Sequence, residues 1–197
     1  MKTVEFYSNA EKVKIVLIAD IHYGSKECDV TVLEKAVNTV LSEPNTYAII
    51  NGDLCDNAIK DSVGNVYDDS KPMDQLNTIV KALEPIKEKI ICVTCGNHER
   101  RTSKVAGIDI MALACTQLGL LDKYDENGVV VIARIGPKPK KKCYTIFVTH
   151  GTGGGRTAGG KVNRLLQLSS IVDADIYVHA HTHEPFTTRK LFYRIDR

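Results

Sequence analysis

The chain has 197 residues, 43% hydrophobic and 25% charged, with a formal net charge of +2. That composition suits a globular protein, and the length suits a single domain over 1–197 with a substantial core. No apolar run approaches the ~20 residues of a membrane helix, and residues 1–6 lack the basic-then-apolar start of a secretory signal. A cytoplasmic location is therefore expected, with the cysteines held as thiols.

Strand-like and helix-like runs alternate. Residues 13–19 read as a strand. Val30, Leu33, Val37, Val40 and Leu41 recur at helical spacing over 30–41. A strand at 47–50 leads into a polar loop over 57–72, long enough to suggest a functional role. Met73, Leu76, Ile79, Val80 and Leu83 share a helical face over 73–86, followed by a strand at 89–94. Ile108, Met111, Ala112, Cys115 and Leu118 group along a helix over 108–118. Strands at 129–135 and 143–149 flank a lysine-rich turn and are expected to pair as a hairpin. A glycine loop over 151–160, a short helix over 162–171, a strand at 175–179 and a candidate strand at 186–195 complete the chain. The alternation predicts an α/β protein, with parallel pairing in the first half and antiparallel pairing in the second.

The six cysteines, Cys28, Cys55, Cys92, Cys95, Cys115 and Cys143, give one C-x-x-C and no second pair at zinc-ribbon spacing. Cys92 and Cys95 lie within or beside a strand and should face opposite sides, as buried structural thiols. Residues 127–172 contain no Asp or Glu but hold Arg134, Lys138, Lys140, Lys141, Lys142, Arg156, Lys161 and Arg164. A local basic field favours an anionic partner, phosphate or nucleic acid, although the lysines of the turn also suit a solvated hairpin tip.

Five of the six histidines follow strand-like runs. Asp20-Ile21-His22 closes the first run, Gly52-Asp53-Leu54-Cys55-Asp56 the second and Gly96-Asn97-His98-Glu99 the third. His150-Gly151 follows the strand at 143–149, and His181-Thr182-His183 the strand at 175–179. Residues two apart on extended chain point the same way, so D-x-H and H-x-H can each present two ligands to one ion. The glycines permit sharp turns and close backbone approach. Asp53 can bridge two cations through its two oxygens.

Together these motifs, spanning Asp20 to His183, resemble the calcineurin-like metallophosphoesterase family. The resemblance implies a four-layer α/β/β/α sandwich, with two mixed β-sheets face to face and helices outside. It implies Asp20, His22, Asp53 and His183 around one divalent ion, and Asp53, Asn97, His150 and His181 around a second. Mn²⁺ is preferred, with Fe or Zn²⁺ as alternatives, for this mixture of oxygen and imidazole ligands. In such an enzyme a hydroxide bridging the ions attacks phosphorus in line. His98 protonates the leaving oxygen, and Asp56 hydrogen-bonds His98 and fixes its tautomer. Arg100 and Arg156 are candidate substrate contacts, with Lys161 a further one.

The chain departs from its relatives in three places. The protein-phosphatase branch carries a phosphate-gripping arginine where Asn57 stands, so a phosphodiester substrate is favoured over a monoester, with nuclease and small-molecule esterase both open. Ala180 replaces a glycine before the late histidines, and His179 offers a second register, His179-Ala180-His181, that is less favoured. The chain ends 14 residues after His183, where relatives often continue, so a short second sheet or a shortened C-terminus is expected. The glycine loop nearly matches a phosphate-binding loop, but Val162 stands where the Mg²⁺-holding hydroxyl belongs. A flap carrying Arg156 and a plain connecting loop are both preferred over an ATPase. A non-catalytic metal-binding scaffold is the remaining alternative; oligomeric state is left open.

Overall fold

The computed structural model describes residues 1–60, 62, 70–153 and 157–191, and among them eight strands and five α-helices form. β1 (Lys2–Ser8) is followed by β2 (Lys14–Ile18), α1 (Val30–Ser42), β3 (Thr46–Asn51), α2 (Pro72–Leu83) and β4 (Ile90–Thr94). Then come α3 (Arg100–Ala106), α4 (Ile110–Leu118), β5 (Tyr124–Asp125), β6 (Val129–Ile135), β7 (Lys142–Thr149), α5 (Ala158–Gln167) and β8 (Ile176–His179). The strands form two four-stranded sheets, ordered β1-β6-β7-β8 and β2-β3-β4-β5.

The sheets differ in kind, which corrects the expectation of two mixed sheets. β2-β3-β4-β5 is parallel throughout, because α1, α2 and the α3–α4 pair each carry the chain back to the same end before the next strand. The other sheet is mixed. β6 and β7 make the expected antiparallel hairpin, but β1 joins β6 and β8 joins β7 in parallel. Antiparallel pairing in the second half is thus confined to one hairpin. No strand forms over the described part of 186–195; residues 192–195 lie outside the described residues.

Three apolar cores organise the chain. Val4, Ile49, Ile91, Val129, Val131, Ile146, Val148 and Val178 pack between the two sheets. Leu33 and Val37 of α1, Ile79 and Leu83 of α2, and Met111 and Leu118 of α4 pack on Ile18, Ile50 and Val93, on the other face of the parallel sheet. Leu165, Leu168 and Ala174 cover Phe147 on the far face of the mixed sheet. Strands covered on both faces read as continuous apolar runs, and β3 and β4 do. Asp29 caps α1 by accepting from the Thr31 N–H at 3.0 Å, and Asp109 caps α4 by accepting from the Ala112 N–H at 2.9 Å.

Cys92 faces the inter-sheet core and Cys95 the helix-side core, as strand alternation requires. Both are buried as expected; Cys55 and Cys115 are also buried, whereas Cys28 is half-buried and Cys143 is exposed. Cys143 sits on β7 opposite Arg134, near the open hairpin turn.

Candidate metal centre

The ends of β2, β3, β4, β7 and β8 are each followed, within four residues, by a predicted ligand. Asn51 ties the two sheets together there. Its side-chain amide donates to the Thr149 carbonyl at 3.0 Å, its Oδ1 accepts from the Thr94 hydroxyl at 2.6 Å, and its own carbonyl accepts from His150 Nδ1 at 2.7 Å. The Ala180 N–H donates to the His150 carbonyl at 3.1 Å.

The ligand-bearing backbone is not extended. Asp20, His22, Asp53, His181 and His183 have φ of 54°, 50°, 51°, 68° and 54°, all left-handed. The same-side logic of an extended D-x-H therefore reaches the right result through the wrong geometry. The side chains converge because alternate residues of each motif adopt the left-handed turn, at a cost of about 1–3 kcal/mol each. Pairing beyond the strands holds this strained chain. The Asp20, His22 and Tyr23 N–H groups donate to the Gly52, Asp53 and Leu54 carbonyls at 3.1, 3.0 and 2.8 Å. Glycine is required at two points: a Cβ on Gly52 would strike the Gly96 backbone, and one on Gly96 would strike Asp53.

Two ligand sets meet around Asp53. Asp20, His22 and His183 bring donor atoms within 4.8 Å of one another, and so do Asp53, His150 and His181. Asp53 Oδ2 lies 3.1 Å from His150 Nε2 and 3.8 Å from His22 Nε2. Asp53 Oδ1 is already engaged by the His98 N–H at 2.8 Å. Thus Oδ2 alone faces both sets, rather than one oxygen facing each. Asn97 Oδ1 is 3.2 Å from His150 Nε2, and the Nε2 atoms of His22 and His183 are 3.2 Å apart.

With Nδ1 of His150 donating to the Asn51 carbonyl, its Nε2 in the neutral ring carries a lone pair aimed at the Asp53 and Asn97 oxygens, an arrangement that a cation satisfies. In the metal-free chain a proton on Nε2 takes that place and is donated to Asp53 Oδ2. Burial, and then the neighbouring His98, pull His22 down to about 4, so it is a neutral imidazole near pH 7. Burial and His150 also lower His181. Burial works against ionised Asp53, but its bond to His150, the charge of that ring and the His98 N–H overrule it and hold the carboxyl at about 2. Burial likewise opposes a charge on His150, yet the bond and charge of Asp53 raise it overall. Burial raises Asp20, against the attraction of His150 and His183.

A family model of the calcineurin-like phosphoesterases matches residues 13–185. The chain belongs to that family. No curated protein and no solved structure gave a match. Calcineurin-like phosphoesterases are dimetal enzymes that hydrolyse phosphoesters, and the clustered His and Asp side chains suit that chemistry. No described helix is long and apolar enough to cross a membrane.

Around this calcineurin-like centre, other residues take roles that the motifs alone left open. His98 stands edge-on to His22, with ring centroids 4.3 Å apart. Its Nδ1 lies 2.8 Å from the Asp56 carbonyl oxygen and 3.2 Å from Asp56 Oδ1. The expected His98–Asp56 pair is thus present, with the backbone carbonyl the nearer partner. Glu99 is wholly buried and accepts three backbone N–H bonds, from Asp53 at 2.9 Å, Cys55 at 3.0 Å and Gly96 at 3.0 Å. It pins the G-D and G-N-H turns to one another; burial, then Asp53, push its carboxyl up to about 7. A Glu three residues after Gly96, at capping-box spacing, was the available signal.

Asn57, with φ 46°, is fully buried and points away from the centre. Its Nδ2 donates to the His98 carbonyl at 2.7 Å and to the Thr102 hydroxyl at 2.8 Å. Arg100 is turned to Glu126, bonding its carbonyl and lying 3.7 Å from its carboxylate. It lines a cavity of about 430 Å³ with Arg164 and His179. Lys161 bonds the Thr182 carbonyl at 3.2 Å and Glu184 at 2.8 Å, so it braces the His181–His183 turn. Arg156 lies outside the described residues. His179 ends β8 as a strand residue, and its ring fills the space beside Gly151. Arg101, which the motifs did not mark, has its guanidinium 3.0 Å from His98 Nε2.

Proposed function

We propose that this calcineurin-like phosphoesterase hydrolyses a phosphodiester. In this reading Asp20, His22, Asp53 and His183 hold one divalent ion and Asp53, Asn97, His150 and His181 the other, with Mn²⁺ preferred over Fe or Zn²⁺. The observation that carries it is the convergence of His, Asp and Asn ligand atoms on both sides of Asp53 Oδ2. When bound, two such ions supply charge neutralisation at phosphorus and a water of lowered pKa.

The chain's own groups do the rest. Nδ1 of His98 donates to the Asp56 carbonyl, so Nε2, where the Arg101 guanidinium now lies, is the ring atom that would carry a proton to the leaving oxygen once it is protonated. Glu99 fixes the turns that present Asp53 and His98. The inward turn of Asn57 supports the diester over the monoester, because position 57 offers no grip to a dianionic phosphate. Arg100 would reach only a remote part of the substrate, from the cavity it shares with Arg164. The lysine turn favours a nuclease less than the bare sequence does. It sits at the opposite end of β7 from His150, and eight residues of strand span about 26 Å.

We also read residues 1–197 as one domain and the three cores as the seams of a four-layer α/β/β/α sandwich. A cytoplasmic location fits six free thiols.

Metal analysis, with turnover of bis-p-nitrophenyl phosphate and p-nitrophenyl phosphate under Mn²⁺, tests the reading. Two ions per chain and a diester preference are expected; a monoester preference reverses the substrate assignment. His98→Ala should keep both ions and lose on the order of 10²–10⁴ in kcat. Unchanged turnover removes His98 from the chemistry and leaves the scaffold alternative standing.

A further inference from the structure

Arg101 opens the second position of α3, three residues after His98, and residues three apart on a helix start lie on one face. One arm of its guanidinium donates to the Asp56 carbonyl at 2.9 Å, and the other lies 3.0 Å from His98 Nε2. A guanidinium has donors only, so Nε2 must be the acceptor. The ring proton is then on Nδ1, where the Asp56 carbonyl receives it at 2.8 Å.

Any oxygen that His98 protonates must come within about 2.6–3.2 Å of Nε2. The Arg101 amino group now occupies that place. A phosphate ester arriving at His98 therefore meets the guanidinium first. Among the described residues no carboxylate forms an ion pair with Arg101, whose nearest acid, Asp56, meets it through the backbone carbonyl and turns its carboxylate to His98 Nδ1. Two other candidate cations among the described residues are committed elsewhere: Arg100 to Glu126 and Lys161 to Thr182 and Glu184. Position 57, where a phosphatase-like arginine would stand, is filled by a buried asparagine.

Resting on the phosphoesterase reading, we propose that Arg101 is the phosphate-gripping residue of this centre: a non-bridging oxygen of the substrate takes the guanidinium donor from His98, and Nε2, released from that bond, takes up a proton from solvent and faces the leaving oxygen as its donor. The grip comes from the helix that begins beside His98, not from the loop after Asp56. One charge-assisted contact to a single non-bridging oxygen suits a diester, which carries one negative charge.

The test uses the full chain loaded with Mn²⁺. Arg101→Gln should lower kcat/KM for bis-p-nitrophenyl phosphate on the order of 100-fold. It should raise the inhibition constant of inorganic phosphate by a similar factor, with metal content unchanged. Arg101→Lys should recover part of both, and added guanidinium should partly rescue Arg101→Gly. Lys104→Gln, the same charge change one turn along α3, should match wild type. Without metal, ¹⁵N NMR should show the Arg101 guanidinium signals moving as phosphate is titrated. Unchanged phosphate affinity in Arg101→Gln overturns the proposal, even if turnover falls, because the loss would then come from a displaced His98. Should the wild-type chain lack turnover but bind phosphate through Arg101, the grip stands and the phosphoesterase reading falls.

Discussion

Asn57→Ala separates a buried brace from a substrate-facing residue. The side chain is 0% exposed, and its Nδ2 serves the His98 carbonyl at 2.7 Å and the Thr102 hydroxyl at 2.8 Å. Removing it leaves the His98 carbonyl without that donor, at about 1–3 kcal/mol. Its φ of 46° is tolerated by asparagine, whereas alanine there costs roughly 1–2 kcal/mol more. Together about 2–5 kcal/mol should be lost, which in a chain of this size lowers Tm by roughly 4–20 °C. Asn57→Gly restores the backbone freedom but not the bonds, so it should lie about 1 kcal/mol above Asn57→Ala. Asn57→Arg, which copies the phosphatase-like residue, forces a larger, charged side chain into a fully enclosed position and should be the least stable of the three. Urea unfolding and thermal melts of the metal-free protein give the ranking, and turnover with Mn²⁺ shows whether His98 has moved. An Asn57→Ala protein within about 0.5 kcal/mol of wild type, the range of a neutral surface change, would refute the packing argument. So would a folded Asn57→Arg protein with a selective gain on monoesters, since position 57 would then face substrate.

Three further outcomes are expected. Gly96→Ala drives a methyl into the Asp53 carboxylate and amide, so metal content by mass spectrometry should fall below two ions per chain; a full complement would show that the turn yields without cost. His150 is raised above its usual value and His22 lowered to about 4, so the two ligand sets should respond differently to acid. A raised His keeps its proton near pH 6.5, and a metal must displace it; ion affinity at the His150 set should drop about tenfold per pH unit below that pKa. The His22 set should weaken only as pH approaches 4, and calorimetric titrations between pH 5.5 and 7.5 resolve the two. For folding of the metal-free chain the signs are opposite. His22 contributes stability that is present above pH 6.5 and lost as pH falls toward 4, whereas His150 contributes stability present below 6.5 and lost as pH rises through its folded pKa. Finally, a thiol reagent should modify exposed Cys143 fastest and half-buried Cys28 next. Cys92 and Cys115, pushed up to about 12 by burial, should react only on unfolding.

What the sequence disclosed depended on whether local pattern or tertiary contact set each feature. β-branched runs ending in Asp, Asn or His marked the strand ends, because a doubly covered strand is apolar to its last residue and the polar side chains begin where cover stops. α3 has no buried residue and so no apolar stripe, and 100–106 gave no helical signal. β1 was missed because it lies at a sheet edge with only Val4 and Ser8 buried, and its partner β6 is more than a hundred residues away. The left-handed ligand turns were hidden for a related reason: no residue type requires φ near 50° at His22 or His183, and only pairing with the Gly52–Leu54 backbone and the fit around Asp53 impose it at the first of these.

The two consecutive arginines show where this limit matters most. Sequence alone treats Arg100 and Arg101 alike. Once the helix begins at Arg100, a rotation of about 100° per residue sends one side chain to Glu126 and the other to His98. The choice of substrate contact is therefore made by the phase of α3, and that phase is set by buried Glu99 and Asn57, which hold its first turn to the two metal-bearing loops.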